Sequence, residues 1–345
     1  MKVMIIGGFL GSGKTTTLLN LGKHMSGLGH RIAIIVNEIG EIGVDGDTIS
    51  SSGVVTKELT SGCICCTLKY DMKYTLKELQ EDFKPDVVII EPTGIAFPKQ
   101  IRDELAQMDL PDTSFAPVVH LVDASRFNTE VQQIPVFITT QIKDADVLCI
   151  NKIDITGAEQ IASVNDFLRE LNPDAEILQF SARASDEQFQ RFIDLLAEEG
   201  ETDLETEERN SIEMSGVSTY SAEFMILSDL DANRGTSISK SILENVKIHV
   251  REINPDFIGH IKISLKLPDV MIKASLTAFD GSPHIELFEQ KENTQTSLKM
   301  MAAVTNIPTD KLLGIVETVV REKLAEEELD FKKPEPPVRT INIIK

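Results

Sequence analysis

Short apolar runs recur through the first half of the chain, at residues 3–6, 32–36, 87–90, 118–122, 147–150 and 177–180, and each run is continuous rather than alternating. A strand covered on one face alternates apolar and polar residues, whereas an unbroken run suits a strand covered on both. Between these runs, residues 15–25, 72–80, 99–107 and 160–171 space their apolar side chains three and four apart, as a helix with one buried face does. The alternation predicts an α/β fold, a mostly parallel sheet with helices on both faces. After a further helical pattern at 187–197, the segment 198–208 holds Glu198, Glu199, Glu201, Asp203, Glu205, Glu207 and Glu208 with hardly an apolar residue among them. Such a segment reads as a solvated acidic linker.

The second half predicts a strand at 219–227, a helix at 237–252, strands at 257–267, 270–279 and 284–288, and helices at 296–304 and 309–327. That order suggests a smaller α+β domain with an open sheet. The domains expected are therefore a nucleotide-binding domain at 1–197, the acidic linker at 198–216, an α+β domain at 217–330 and an extended, proline-rich tail at 331–345.

Composition narrows the function. At 345 residues, with 41% hydrophobic and 26% charged positions, the chain suits two globular domains. Its 55 acidic residues against 34 Lys and Arg give a net charge of -21, a field that repels polyanions and argues against nucleic acid as a partner. A local phosphate site is still compatible with that field. No apolar run reaches the roughly 18 to 20 residues that span a bilayer, and the apolar start leads into a glycine loop without a cleavage site, so a cytoplasmic protein with no membrane partner is expected. Three of the four cysteines crowd into 63–66, a spacing that suits metal or redox chemistry better than a disulfide framework.

The strongest chemical signal is Gly8-Phe9-Leu10-Gly11-Ser12-Gly13-Lys14-Thr15, a P-loop pattern between the first strand and the first helix. In such a loop the backbone N–H groups close around phosphates, Lys14 reaches the β- and γ-phosphates, and Thr15 offers its hydroxyl to Mg²⁺. Asn151-Lys152-Ile153-Asp154 follows the run at 147–150 and so sits at a strand's carboxyl end, where ligands bind in open α/β sheets. Asp154 can accept from guanine N1–H and the 2-amino group together, Asn151 can bond the purine edge, and the Lys152 stem can cover its face; GTP is favoured over ATP. Ser181-Ala182 can supply a backbone N–H to the guanine oxygen, or cap a helix. Glu91-Pro92-Thr93-Gly94 closes another buried run, with Glu91 placed to hold Mg²⁺ through water or orient the attacking water and Gly94 placed to sense the γ-phosphate. Lys14, Glu91 and Gly94 are thus the catalytic candidates. Asn37-Glu38-Ile39-Gly40 and Asp45 are candidates for a first switch that contacts Mg²⁺.

Cys63, Cys65 and Cys66 suit a borderline-soft ion such as Zn²⁺, with Glu38, Glu41, water or a partner's thiol completing the shell. Redox chemistry and inert packing are the alternatives. Cys149, inside an apolar run, belongs to the core.

The stretch Gly8 to Thr16, with Asn37-Glu38-Ile39-Gly40-Glu41, Cys63-Ile64-Cys65-Cys66, Glu91-Pro92-Thr93-Gly94 and Asn151-Lys152-Ile153-Asp154, resembles the CobW-like GTPases, relatives of HypB and UreG, over roughly residues 1–185. The resemblance implies a SIMIBI-type P-loop GTPase whose slow hydrolysis of GTP to GDP drives delivery of a metal, often zinc or cobalt, to a client protein or cofactor pathway. The second half lacks a His-rich stretch and any Trp, which makes it an atypical C-terminal domain for this family. The expected activity is a GTPase cycle coupled to metal delivery, with the second domain choosing a client metalloprotein or cofactor-pathway protein; a homodimer is compatible with this. The alternative is a regulatory GTP-binding adaptor with a structural or redox Cys cluster, and family analogy adds assistance to a corrinoid (cobalamin) or methyltransferase system.

Overall fold

The apolar runs of the first half become β1 (Lys2–Gly8), β2 (Ile32–Val36), β4 (Val87–Glu91), β6 (Val119–Asp123), β7 (Val147–Asn151) and β8 (Glu176–Gln179) in the computed structural model. Two further strands, β3 (Val54–Glu58) and β5 (Ser114–Phe115), join them. The structure describes residues 1–36, 54–58, 68–108, 110–183, 187–200, 209, 211–276, 281–289 and 295–334. The strand order is β3-β2-β4-β1-β6-β7-β8, with β5 also on β1, and every pair is parallel.

The continuous runs have the cause that their pattern implied. Met4 and Ile6 of β1 pack on one face with Leu18 and Leu21 of α1 (Lys14–Gly27), while Val3 and Ile5 pack on the other with Met72, Leu76 and Leu105. Because β4 and β6 flank β1 on opposite sides, the strand order reverses there and opens a crevice at the carboxyl ends. Gly8, Glu91, Asp123 and Asn151 end β1, β4, β6 and β7 at that edge, and Ser181 follows β8 closely.

Two compact units are present, Met1–Val217 and Ser218–Lys345. The acidic segment 201–208 lies outside the described residues, but both of its flanks belong to the first unit. Gly200 N–H donates to Phe115 O at 2.8 Å. Arg209 pairs with Asp144 at 2.6 Å and lies 5.9 Å from the centre of the Phe97 ring, just before the short helix Ser211–Ser215.

The second unit is a sheet in the order β12-β11-β10-β13-β9-β14, built from β9 (Val217–Ile226), β10 (Gly259–Lys266), β11 (Val270–Leu276), β12 (His284–Glu289), β13 (Ser297–Thr305) and β14 (Phe331–Lys332). Helices Ala232–Ile253 and Thr309–Glu326 bury Ile242, Val246, Val316 and Val320 against Ile261, Ile263, Met300 and Phe224. One expectation is corrected: residues 297–305 form a strand, not the helix expected at 296–304. Leu298, Met300, Ala302 and Val304 are buried at period two, and antiparallel pairing with β10 from Ser297 to Val304 overrides the helix preference of Leu, Met and Ala. The start of the tail is likewise strand, since Phe331 and Lys332 pair with Ile226 and Met225.

Helix Pro98–Ala106 is held to the first sheet by an ion cluster centred on buried Arg102. Arg102 Nε lies 3.1 Å from Asp103 and its Nη1 2.8 Å from Asp146, whose Oδ2 also accepts from Val118 N–H at 2.7 Å. Without Arg102, Asp103 keeps Lys99 at 2.7 Å and Asp146, whose side chain is 40% exposed, keeps the Val118 N–H, so the loss is that of hydrogen bonds to a charged group, about 1.5 to 3 kcal/mol. Arg102→Ala is therefore expected to lower the unfolding free energy by about that amount in urea titrations; a change under roughly 0.5 kcal/mol, the usual scale for surface substitutions, would contradict the assignment.

Candidate functional site

The turn from β1 into α1 is built by the direction of its peptides. Phe9 O accepts from Ser12 N–H at 3.1 Å and lies 3.4 Å from Lys14 Nζ. Leu10 O accepts from Arg126 at 2.9 Å, Ser12 O from Asn151 Nδ2 at 2.8 Å, and Gly13 O from the Thr17 hydroxyl at 2.9 Å. With the Leu10, Ser12 and Gly13 carbonyls turned to donors outside the loop, the N–H groups of the same trans peptides, on Gly11, Gly13 and Lys14, point the other way, the arrangement that receives an anion. Gly13 makes the entry into the helix at φ +98°, and a Cβ there would stand 2.4 Å from Asn151 Nδ2. The α1 N-terminus has no side-chain cap and no acid in its first turn, so its positive end is left for a ligand.

The structure brings most of the expected residues to this edge. The Thr15 hydroxyl lies 3.0 Å from both carboxylate oxygens of buried Glu91. Gly94 packs on the loop: a Cβ there would fall 2.8 Å from Leu10 N. Thr16, one residue along α1, is exposed. Lys152 adopts the left-handed region at φ 65°, which turns the chain from β7 into a short 3-10 turn, Ile153–Ile155, on which Asp154 is exposed. Asp45, Glu38, Glu41, Cys63, Cys65 and Cys66 lie outside the described residues. Cys149 is fully buried, and burial pushes its thiol up, as a core residue requires.

Two of the expected base-site residues also bond within the protein. Asn151 uses both ends of its amide within the protein, Nδ2 on Ser12 O and Oδ1 accepting from Ala182 N–H at 2.8 Å. It is a brace between the phosphate loop and the 181–182 turn. The Ala182 N–H donates to Asn151, and Ala182 O accepts from Asn20 of α1.

A group of residues that sequence reasoning passed over lies beneath the loop. Asp123, ending β6, accepts from Arg126 Nε at 2.9 Å, Lys152 Nζ at 2.6 Å and the Ser125 hydroxyl at 2.5 Å. Burial alone would raise this carboxyl, yet the Arg126 and Lys152 charges and these hydrogen bonds hold it below its ordinary value. Burial drives His120 down to about 3, helped by the Lys14 charge, and drives Glu130 up to about 8. One signal for Asp123 was available, an acid closing a buried strand at the ligand edge; Arg126 carried none.

The model for the CobW/HypB/UreG nucleotide-binding domain matches residues 2–179. The zinc chaperone YeiR of Escherichia coli (strain K12) is 34% identical over 178 residues, covering 51% of this chain and 54% of YeiR. The zinc chaperone CobW of a Sinorhizobium species is 33% identical over 194 residues, 47% of this chain and 53% of that protein. The zinc chaperone YjiA of Escherichia coli (strain K12) is 32% identical over 181 residues, 48% and 55%. The chain spans about half the length of the curated relatives it matches.

His120 and Glu130 together shape the dependence of stability on pH. Their ordinary values are 6.5 and 4.5, against about 3 and about 8 in the fold. Between 4.5 and 6.5 the unfolded chain holds the His120 proton and the folded chain the Glu130 proton, so the two contributions cancel. From 6.5 to about 8 only the folded chain holds a proton, and stability falls as pH rises. From 4.5 to about 3 the unfolded chain holds two and the folded chain one, and stability falls as pH falls. Each limb should slope by about 1.4 kcal/mol per pH unit. Urea unfolding across this range is expected to lose its alkaline limb in Glu130→Gln and its acid limb in His120→Leu; an alkaline limb unchanged in Glu130→Gln would contradict the assignment.

Proposed function

The chain belongs to the CobW/HypB/UreG family, and on that premise we propose that it binds and hydrolyses GTP and uses the cycle to deliver zinc to client metalloproteins. The observation that carries the reading is the phosphate loop itself, with the Leu10, Ser12 and Gly13 carbonyls bonded outward and the α1 N-terminus uncapped behind them. Lys14 is the residue that neutralises phosphate charge, leaving Phe9 O for the nucleotide. Hard oxygen donors from Thr15 and Glu91, already 3.0 Å apart, fit Mg²⁺, which when bound offsets the charge on the transferred phosphoryl group. Gly94, packed on Leu10, reports the γ-phosphate. Asp154, exposed beyond β7, selects guanine by accepting from N1–H and the 2-amino group, while Lys152 covers the base.

Zinc is cargo in this reading, received by Cys63, Cys65 and Cys66, whose soft thiolates suit it; the zinc chaperone relatives support that choice over cobalt. The second unit selects the client. The rival reading is a regulatory GTP-binding adaptor whose cysteines carry no cargo.

Hydrolysis can drive release only if metal affinity differs between nucleotide states, and linkage then requires metal to alter the GTP-over-GDP preference by the same factor. Zn²⁺ titration of the full chain with a non-hydrolysable GTP analogue and with GDP is expected to give affinities differing by about 5- to 150-fold. Cys65→Ser and Cys66→Ser should weaken both. Equal affinities, or indifference to both substitutions, would favour the adaptor, and ATP binding as tightly as GTP would remove the base assignment.

A further inference from the structure

A loop that offers its N–H groups to an anion must hold its carbonyls away from it, and a desolvated carbonyl needs a donor. At Leu10 that donor comes from a distant part of the chain. Arg126 arrives from the turn after β6, donates Nη2 to Leu10 O at 2.9 Å, and presses on the neighbouring peptide, since a Cβ on Gly11 would stand 2.6 Å from Nη2. Its Nε is held at 2.9 Å by Asp123 Oδ2, so the guanidinium plane is fixed at two corners. The same Oδ2 holds Lys152 Nζ at 2.6 Å. Asp123 itself has no exposed side-chain surface and cannot exchange these partners for water cheaply. A single buried carboxylate therefore ties the base-loop lysine to the phosphate-loop arginine.

We propose that Arg126 is a positioning residue for the nucleotide phosphates, acting through the Leu10 and Gly11 peptides, and that Asp123 couples it to Lys152 so that base binding and phosphate binding reinforce each other. The inference rests on the guanine-nucleotide reading above and adds to it the residue that sets the phosphate loop. Without Arg126, the Leu10 carbonyl loses its charged donor and its peptide is free to rotate a carbonyl toward the phosphates. Without Asp123, both cations lose their common anchor. Because Arg126 acts on the loop rather than on the γ-phosphate, its loss should weaken GTP and GDP alike.

The test is nucleotide affinity and steady-state GTP hydrolysis in the full chain for wild type, Arg126→Ala, Arg126→Lys, Lys152→Ala and the double variant Arg126→Ala/Lys152→Ala, each with its thermal unfolding recorded. Arg126→Ala should weaken GTP and GDP equally, by about 10-fold or more, the scale of a hydrogen bond to a charged group. KM should rise with kcat within about 3-fold, as for an interaction made equally in ground and transition states. Arg126→Lys, which retains a cationic donor for Leu10 O, should recover part of the affinity and serves where the alanine variant unfolds. The double variant should lose less than the product of the two single losses, by at least about 2-fold. Wild-type affinity in Arg126→Ala would overturn the positioning role, and strictly multiplicative losses would overturn the coupling. A wild-type chain that binds neither GTP nor GDP would instead refute the nucleotide reading on which both stand.

Discussion

The carboxyl edge of the first sheet depends on the direction of a few peptide carbonyls. Those of Leu10, Ser12 and Gly13 are each held by a donor from outside the loop, from the turn after β6, from the end of β7 and from α1. An unpaired buried polar group costs about 1 to 3 kcal/mol, so rotating any one of these peptides inward is opposed before a ligand arrives. The loop is prepared in advance, and binding need not include the cost of shaping it. The brace extends further, because Asn151 passes the restraint to Ala182, and Asn20 of α1 returns it to the helix that the loop begins.

A phosphate site in a chain of net charge -21 also needs local electrostatics that differ from the global field. Burial arranges this beneath the loop. His120 stays neutral and so adds no charge beside Lys14, while Glu130 stays protonated and subtracts none from Arg126 and Lys152. Asp123 is the carboxylate there held in its charged form, and it spends that charge orienting the two cations. The acidic excess elsewhere acts weakly on these cations where water and salt lie between, since interactions between exposed charges more than about 10 Å apart are largely screened.

Much of this was legible in the sequence, for a physical reason. A phosphate loop needs consecutive residues, since its N–H groups come from adjacent peptides, and Gly8 to Thr15 therefore read as one word. Asn151 to Asp154 could be placed at a strand end because the run before it was unbroken. What escaped were contacts made through space. Arg126 and Asn151 hold Leu10 and Ser12 across more than a hundred residues of sequence, and no local spacing records that. The strand Ser297–Thr305 escaped because Leu, Met and Ala read as helix until its pairing with β10 is known, and the unbroken apolar run 300–304 hides its period. The bond from Ala182 N–H to Asn151 likewise spans 31 residues of sequence.

The central claim is that the phosphate loop is preset by its outward carbonyl bonds. A crystal structure with a bound GTP analogue and Mg²⁺ tests it most directly. The expected result is a loop backbone unchanged from the one described, with Leu10 O still on Arg126 and Ser12 O still on Asn151, and with Lys14 Nζ alone swung from Phe9 O to the phosphates. Peptide flips at Leu10 or Ser12 that break those two bonds on binding would contradict it.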